Sequence, residues 1–123
     1  MAHISDAEWV FLELLWQHGE LTITQMEKLL RDKQGWSKHA IISFLKKMDS
    51  KGLVMYRVDG KAKVFYTELK PEDVKRKETE GFLNKVFHGR VGLMLSALVD
   101  EDCLEDEEID ELMKILEQKR KDN

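Results

Sequence analysis

The sequence predicts a mainly α-helical protein with one small β-hairpin, and three observations carry that prediction. Apolar residues recur three and four positions apart along most of the chain, the period of a helix packed on one side. Residues 53–67 break that period and read as two β-rich runs around Asp59-Gly60. The only proline, Pro71, separates this arrangement from a second helical series.

The first helix starts at Ser5. Ser5-Asp6-Ala7-Glu8 fits a capping box, with Ser5 capping and Glu8 reaching back. Trp9, Leu12 and Trp16 mark its apolar face, widened by Val10, Leu14 and Leu15, and Gly19 ends it. Leu21 is expected in a short extended piece. Thr22-Ile23-Thr24-Gln25 is a second capping box, opening a helix with Met26, Leu29 and Leu30 inward and stopped by Gly35. A third helix runs from Ser37 to about Lys51. Its inward residues are Ile41, Phe44, Leu45 and Met48, and Gly52 stops it.

Strands are expected at Leu53–Val58 and Lys63–Thr67. The turn between them, Asp59-Gly60-Lys61-Ala62, reads as slightly longer than the minimal two residues. Three helices followed by a hairpin make the winged form of helix-turn-helix, here residues 1–70.

Residues 71–123 form the second series, a C-terminal helical region. Pro71 suits a first helical turn, where its missing N–H costs nothing. That helix runs to about His88, with Val74, Phe82, Leu83, Val86 and Phe87 apolar, and Gly89 breaks it. Arg90–Val99 is apolar nearly all round and needs burial on more than one side. The last helix, about Asp106 to Lys119, carries Ile109, Leu112, Met113 and Leu116 on one stripe. Its acidic start and Lys-Arg-Lys end complement the helix dipole.

Composition narrows the function. At 123 residues and 42% apolar the chain can bury one ordinary core. It has no apolar run near the roughly 18 residues that cross a membrane, so no membrane insertion is expected. The opening MAHISDAEW lacks a charged-then-apolar leader pattern, and a cytoplasmic location is expected. Cys103 is the single cysteine, which excludes an internal disulfide and a cysteine cluster. The four histidines are scattered, and no Cys–His or Ser–His pattern stands out. The acidic runs at 100–102 and 105–108 lack the ligand spacing of a calcium loop. No catalytic residue, metal site or cofactor is expected.

The net charge of −4 hides a split. Residues 36–63 hold seven basic side chains against Asp49 and Asp59, net +5, whereas residues 71–123 hold nine against fifteen, net −6. A polyanion responds to the local field, because salt screens charges beyond about 8–10 Å. Opposite the core stripe of the third helix stand Ser37, Lys38, His39, Ile42, Ser43, Lys46 and Lys47. A helix of this kind fits the major groove of double-stranded DNA. His39, Ile42 and Ser43 are the candidates for reading bases, and Ile42 suits a thymine methyl. Lys46, Lys47, Arg57, Lys61 and Lys63 are expected on phosphates.

The second series is expected to dimerise the chain. Its candidate interface residues are Phe82, Val86, Val91, Met94, Leu95, Leu98, Ile109, Leu112, Met113 and Leu116. A homodimer places two reading helices on a palindrome. The rival is a winged-helix module that binds protein and not DNA, and the +5 segment argues against it.

The sequence resembles the BlaI/MecI-type penicillinase repressor family over nearly its whole length. The resemblance rests on Ile4-Ser5-Asp6-Ala7-Glu8-Trp9, Leu15-Trp16, Trp36-Ser37-Lys38, Ile41, Lys51-Gly52-Leu53, Val64-Phe65-Tyr66, Phe82-Leu83-Asn84-Lys85 and Glu107-Glu108-Ile109-Asp110-Glu111-Leu112. It implies a homodimeric transcriptional repressor on a dyad-symmetric operator with TACA/TGTA half-sites, dimerised through its last three helices. In β-lactam systems it also implies induction by a membrane sensor protease pathway, with cleavage in the penultimate helix. Two departures stand out. Where the family's recognition helix often runs K-T-I-x-T, this chain has His39-Ala40-Ile41-Ile42-Ser43. The scissile Asn-Phe pair aligns near Ser96-Ala97 and is absent. With Cys103 alone, the copper sensing of the family's Cys-x-Cys branch is excluded.

Overall fold

Both capping boxes form. In the computed structural model, which describes residues 3–122, Ser5 Oγ accepts from the Glu8 N–H at 3.2 Å and Glu8 accepts from the Ser5 N–H at 2.9 Å. These bonds start α1, Asp6–His18. Thr22 and Gln25 repeat the exchange and start α2, Ile23–Leu30. Ser37 Oγ accepts from the Ala40 N–H and starts α3, Lys38–Ser50. Each box satisfies N–H groups that the first helical turn would otherwise leave bare.

The end of α3 explains why the next strand starts late. Gly52 takes φ +78°. Its N–H donates to the Asp49 carbonyl at 3.0 Å, and the Leu53 N–H donates to the Met48 carbonyl at 2.9 Å. This is a Schellman cap, and its usual apolar contact is made by buried Leu53 and Met48. Leu53 is therefore committed to the helix end. Strand β2 spans Met55–Asp59, not Leu53–Val58, and β3 spans Ala62–Tyr66.

The hairpin turn is also tighter than expected. Asp59 pairs with Ala62, so only Gly60 and Lys61 form the loop. Gly60 has φ +64° and Lys61 does not share a positive φ. That pattern is a type II′ turn, which matches the strand twist. The extended piece around Leu21 is a true strand, β1 (Glu20–Thr22), pairing antiparallel with β3. The hairpin thus becomes a three-stranded sheet of order β1-β3-β2.

Residues up to Lys75 form one compact unit and residues from Arg76 on form another. The first unit is a winged helix-turn-helix. Its core joins Phe11, Leu12 and Leu15 of α1, Met26 and Leu30 of α2, and Ile41, Leu45 and Met48 of α3. Leu21, Leu53, Val54, Phe65 and Val74 close it. Each such side chain stabilises the fold by roughly 1.5–3 kcal/mol when fully removed from water. Leu29 is a correction. It is 41% exposed, because the i, i+4 pair Met26 and Leu30 takes the buried stripe of this short helix. Phe44 is half-buried, tilted against Trp36 at 4.9 Å and Phe11 at 5.7 Å.

The chain leaves the sheet along a pinned path. Thr67 Oγ1 donates to the Leu53 carbonyl, and Trp16 Nε1 donates to the Leu69 carbonyl at 2.8 Å. Helix α4, Pro71–Phe87, then buries Val74 completely and no later residue. In the second unit, α5 (Val91–Asp100) and α6 (Asp106–Asp122) contain no buried residue. Phe82, Val86, Val91, Leu98, Ile109, Met113 and Leu116 are all exposed, while Met94, Leu95 and Leu112 are half-buried.

Candidate nucleic-acid interface

Helix α3 carries Ile41, Leu45 and Met48 into the core, so its other side faces outward as the period requires. Lys38, His39, Ser43, Lys46 and Lys47 are exposed on that side, and Ile42 is half-buried. Ser37 is occupied as the helix cap. Strand alternation decides what the wing adds. The facing pairs Tyr56–Phe65 and Val58–Lys63 lie on the sheet face turned toward α3. Two adjoining clefts, of about 230 Å³ and about 440 Å³, open between α3, the sheet and the start of α2. Ile42 and Lys63 line both; Lys46, Asp49 and Tyr56 line the first, and Lys38, Lys61 and Thr24 the second.

The seven basic residues of the segment divide into two kinds. Lys38, Lys46, Lys47, Lys61 and Lys63 have no ion pair among the described residues. Lys63 Nζ instead lies 4.6 Å from the centroid of the Tyr56 ring. Lys51 and Arg57 are committed elsewhere. Lys51 Nζ holds Glu8 and the His3 carbonyl, a bond from the end of α3 to the start of α1.

Arg57, expected on a phosphate, is engaged with carboxylates in the free chain. Its neighbour in register is Val64, so its side chain leaves the sheet on the face opposite to Tyr56 and Lys63. There its guanidinium donates to Glu20 Oε1 at 2.7 Å and lies 3.9 Å from Asp59 Oδ2. The hydrogen bond and the charge of Glu20 raise the Arg57 pKa further from its already high value. The bridge spans the sheet from β2 to β1 beside buried Val64. Its geometry is that of a brace for the wing.

Sequence reasoning missed Tyr56, Ile23 and Thr24, which line the same clefts. Tyr56 was legible in principle: it alternates with Val58, and strand period places both on one face. Ile23 and Thr24 depend on how α2 meets α3, which no local pattern encodes.

The fold and this surface define a winged-helix protein whose third helix exposes Lys38, Lys46 and Lys47. The family model described as penicillinase repressor matches residues 4–118, and the chain belongs to that family. It is a family of repressors, not of enzymes. The methicillin resistance regulatory protein MecI of Staphylococcus aureus is 28% identical, covering 94% of this chain and 94% of its own. The penicillinase repressor of Bacillus licheniformis is 29% identical over 94% of this chain and 90% of its own. Among solved structures, the DNA-binding domain of the repressor BlaI superposes with a TM-score of 0.52 at 25% identity. That match covers 59% of this chain and 93% of the BlaI domain.

Proposed function

We propose that this chain is a cytoplasmic DNA-binding transcriptional repressor that occupies a palindromic operator as a homodimer. The observation that carries the reading is the set of five lysines on α3 and the wing that have no ion pair among the described residues, gathered around the exposed side of one helix. Uncommitted ammonium groups suit phosphates, which fix register. His39, Ile42 and Ser43 lie among them and would meet base edges in the major groove. Occupying an operator needs no chemistry from the protein.

The second copy would dock on the apolar residues that α4, α5 and α6 leave exposed, Phe82, Val86, Val91, Leu98, Ile109, Met113 and Leu116. Residues 1–70 would then act as the DNA-binding domain and residues 71–123 as the dimerisation region. A membrane sensor protease belongs to this reading as a proposed partner pathway. Ser96 and Ala97 are exposed on α5. They stand near where the resemblance puts the family's Asn-Phe pair, so such a pathway would have to accept another bond.

Fluorescence anisotropy on a random-sequence duplex across a salt series tests the proposal. Affinity is expected to fall linearly with salt on logarithmic axes, and in vitro selection is expected to return a dyad-symmetric site. No binding at low salt would overturn it.

A further inference from the structure

We infer that Tyr56 is itself a DNA contact, which with Lys46 and Lys63 seats the phosphate backbone of the duplex between α3 and the wing. The inference rests on the DNA-binding reading above and adds to it an uncharged residue on the inner face of β2.

The Tyr56 ring is held in place before any ligand arrives. It leans on Phe65, itself buried, with ring centroids 5.5 Å apart, and the Lys63 ammonium sits over it at 4.6 Å. Yet the residue remains 41% exposed and lines the cleft, and its hydroxyl has no hydrogen-bond partner among the described residues. A ring fixed on its apolar body with an unused polar tip is preorganised, so binding orders little that was free.

The neighbours make the chemistry specific. Lys46 and Lys63 line the same cleft and have no carboxylate partner among the described residues. One hydroxyl and two ammonium groups form a set of donors that calls for an anion with several acceptor oxygens. On a duplex whose major groove holds α3, the anion beside the helix is the phosphate backbone, with one phosphate for each lysine. Asp49 lines the cleft too, and its carboxylate opposes the anion. The two lysines outnumber it.

The test compares the full chain with Tyr56→Phe and Lys63→Ala by anisotropy, on a random duplex and on a duplex obtained by selection. Tyr56→Phe keeps the ring and the Lys63 contact and removes only the hydroxyl. It is expected to weaken binding to both duplexes by about ten-fold, the scale of a hydrogen bond to a charged group. The logarithmic salt slope and the melting temperature stay at the wild-type values, because the lost group is neutral and unbonded in the free protein. Lys63→Ala is expected to lower the magnitude of the slope by about one. Tyr56→Phe binding within about two-fold of wild type overturns the assignment, and so does a loss confined to the selected duplex, the mark of a base contact. If the wild type binds neither duplex at low salt, the DNA-binding reading falls and this inference with it. Wild-type binding with an unaffected variant removes Tyr56 alone.

Discussion

Lys51 Nζ lies 2.8 Å from Oε1 and 3.0 Å from Oε2 of Glu8, a carboxylate only 2% exposed. The same ammonium donates to the His3 carbonyl, and Glu8 also accepts from the Ser5 N–H. One capping residue therefore closes the start of α1 and anchors the end of the helix proposed to read DNA. Lys51→Met would leave that buried carboxylate without its cation, and is expected to cost roughly 1–3 kcal/mol in urea unfolding. The salt slope of DNA binding should stay at the wild-type value, since Lys51 is committed inside the fold. A lowered slope would make Lys51 a phosphate contact.

The same pair predicts an acid sensitivity. Burial pushes the Glu8 pKa up, but the hydrogen bonds from Lys51 and Ser5 and the charge of Lys51 outweigh it, and the net direction is down from 4.5. A depressed carboxylate contributes stability that is complete above its unfolded value. That contribution is lost as pH falls below about 4.5 and through the lower folded pKa. Wild-type stability should fall in that window more steeply than that of Glu8→Gln, measured by chemical denaturation at a series of pH values. Parallel pH profiles would refute the linkage.

Arg57 and Lys46 should behave differently under substitution. Lys46→Ala removes an unpaired cation beside the cleft, and is expected to lower the magnitude of the salt slope by about one on every sequence. Arg57→Ala breaks the brace to Glu20 and should lower the melting temperature while leaving the slope nearly unchanged. A slope change in Arg57→Ala equal to that in Lys46→Ala would return the guanidinium to the phosphates.

For the second unit, Met113 and Leu116 are 61% and 59% exposed within one chain. Replacing both with Glu removes little packing inside a single copy, so the helical content should persist. Sedimentation equilibrium should then report monomers where the wild type is expected to give dimers. A persistent dimer would move the interface elsewhere.

Ile42 is one of three residues proposed to meet base edges. It is half-buried and lines both clefts beside α3. Ile42→Thr should alter the selected sequence at one position in each half-site, as one base contact is worth roughly 1–3 kcal/mol. An unchanged selection profile would turn this side chain away from the bases.

Much of the first unit was legible because its signals are local. Ser5–Glu8, Thr22–Gln25 and Ser37 each cap within three residues, and the core stripe of α3 repeats at the helical period. What escaped depends on distant partners. Leu21 is a strand residue only because Phe65 lies beside it. The commitment of Arg57 required Glu20 to arrive from β1, across β3. Leu53 looked like a strand residue by composition, and the cap on α3 claimed it first. The second unit was legible as helices, but no periodicity within one chain names what covers an exposed apolar face.

The most direct measurement is the salt dependence of duplex binding by the intact chain. Five unpaired lysines predict a logarithmic slope of about −4.5 for each winged unit bound, at about 0.9 per phosphate neutralised. A steep, linear loss of affinity with rising salt, shared by random and selected duplexes, is the result expected. A flat salt response, or no binding at the lowest salt, would contradict the account.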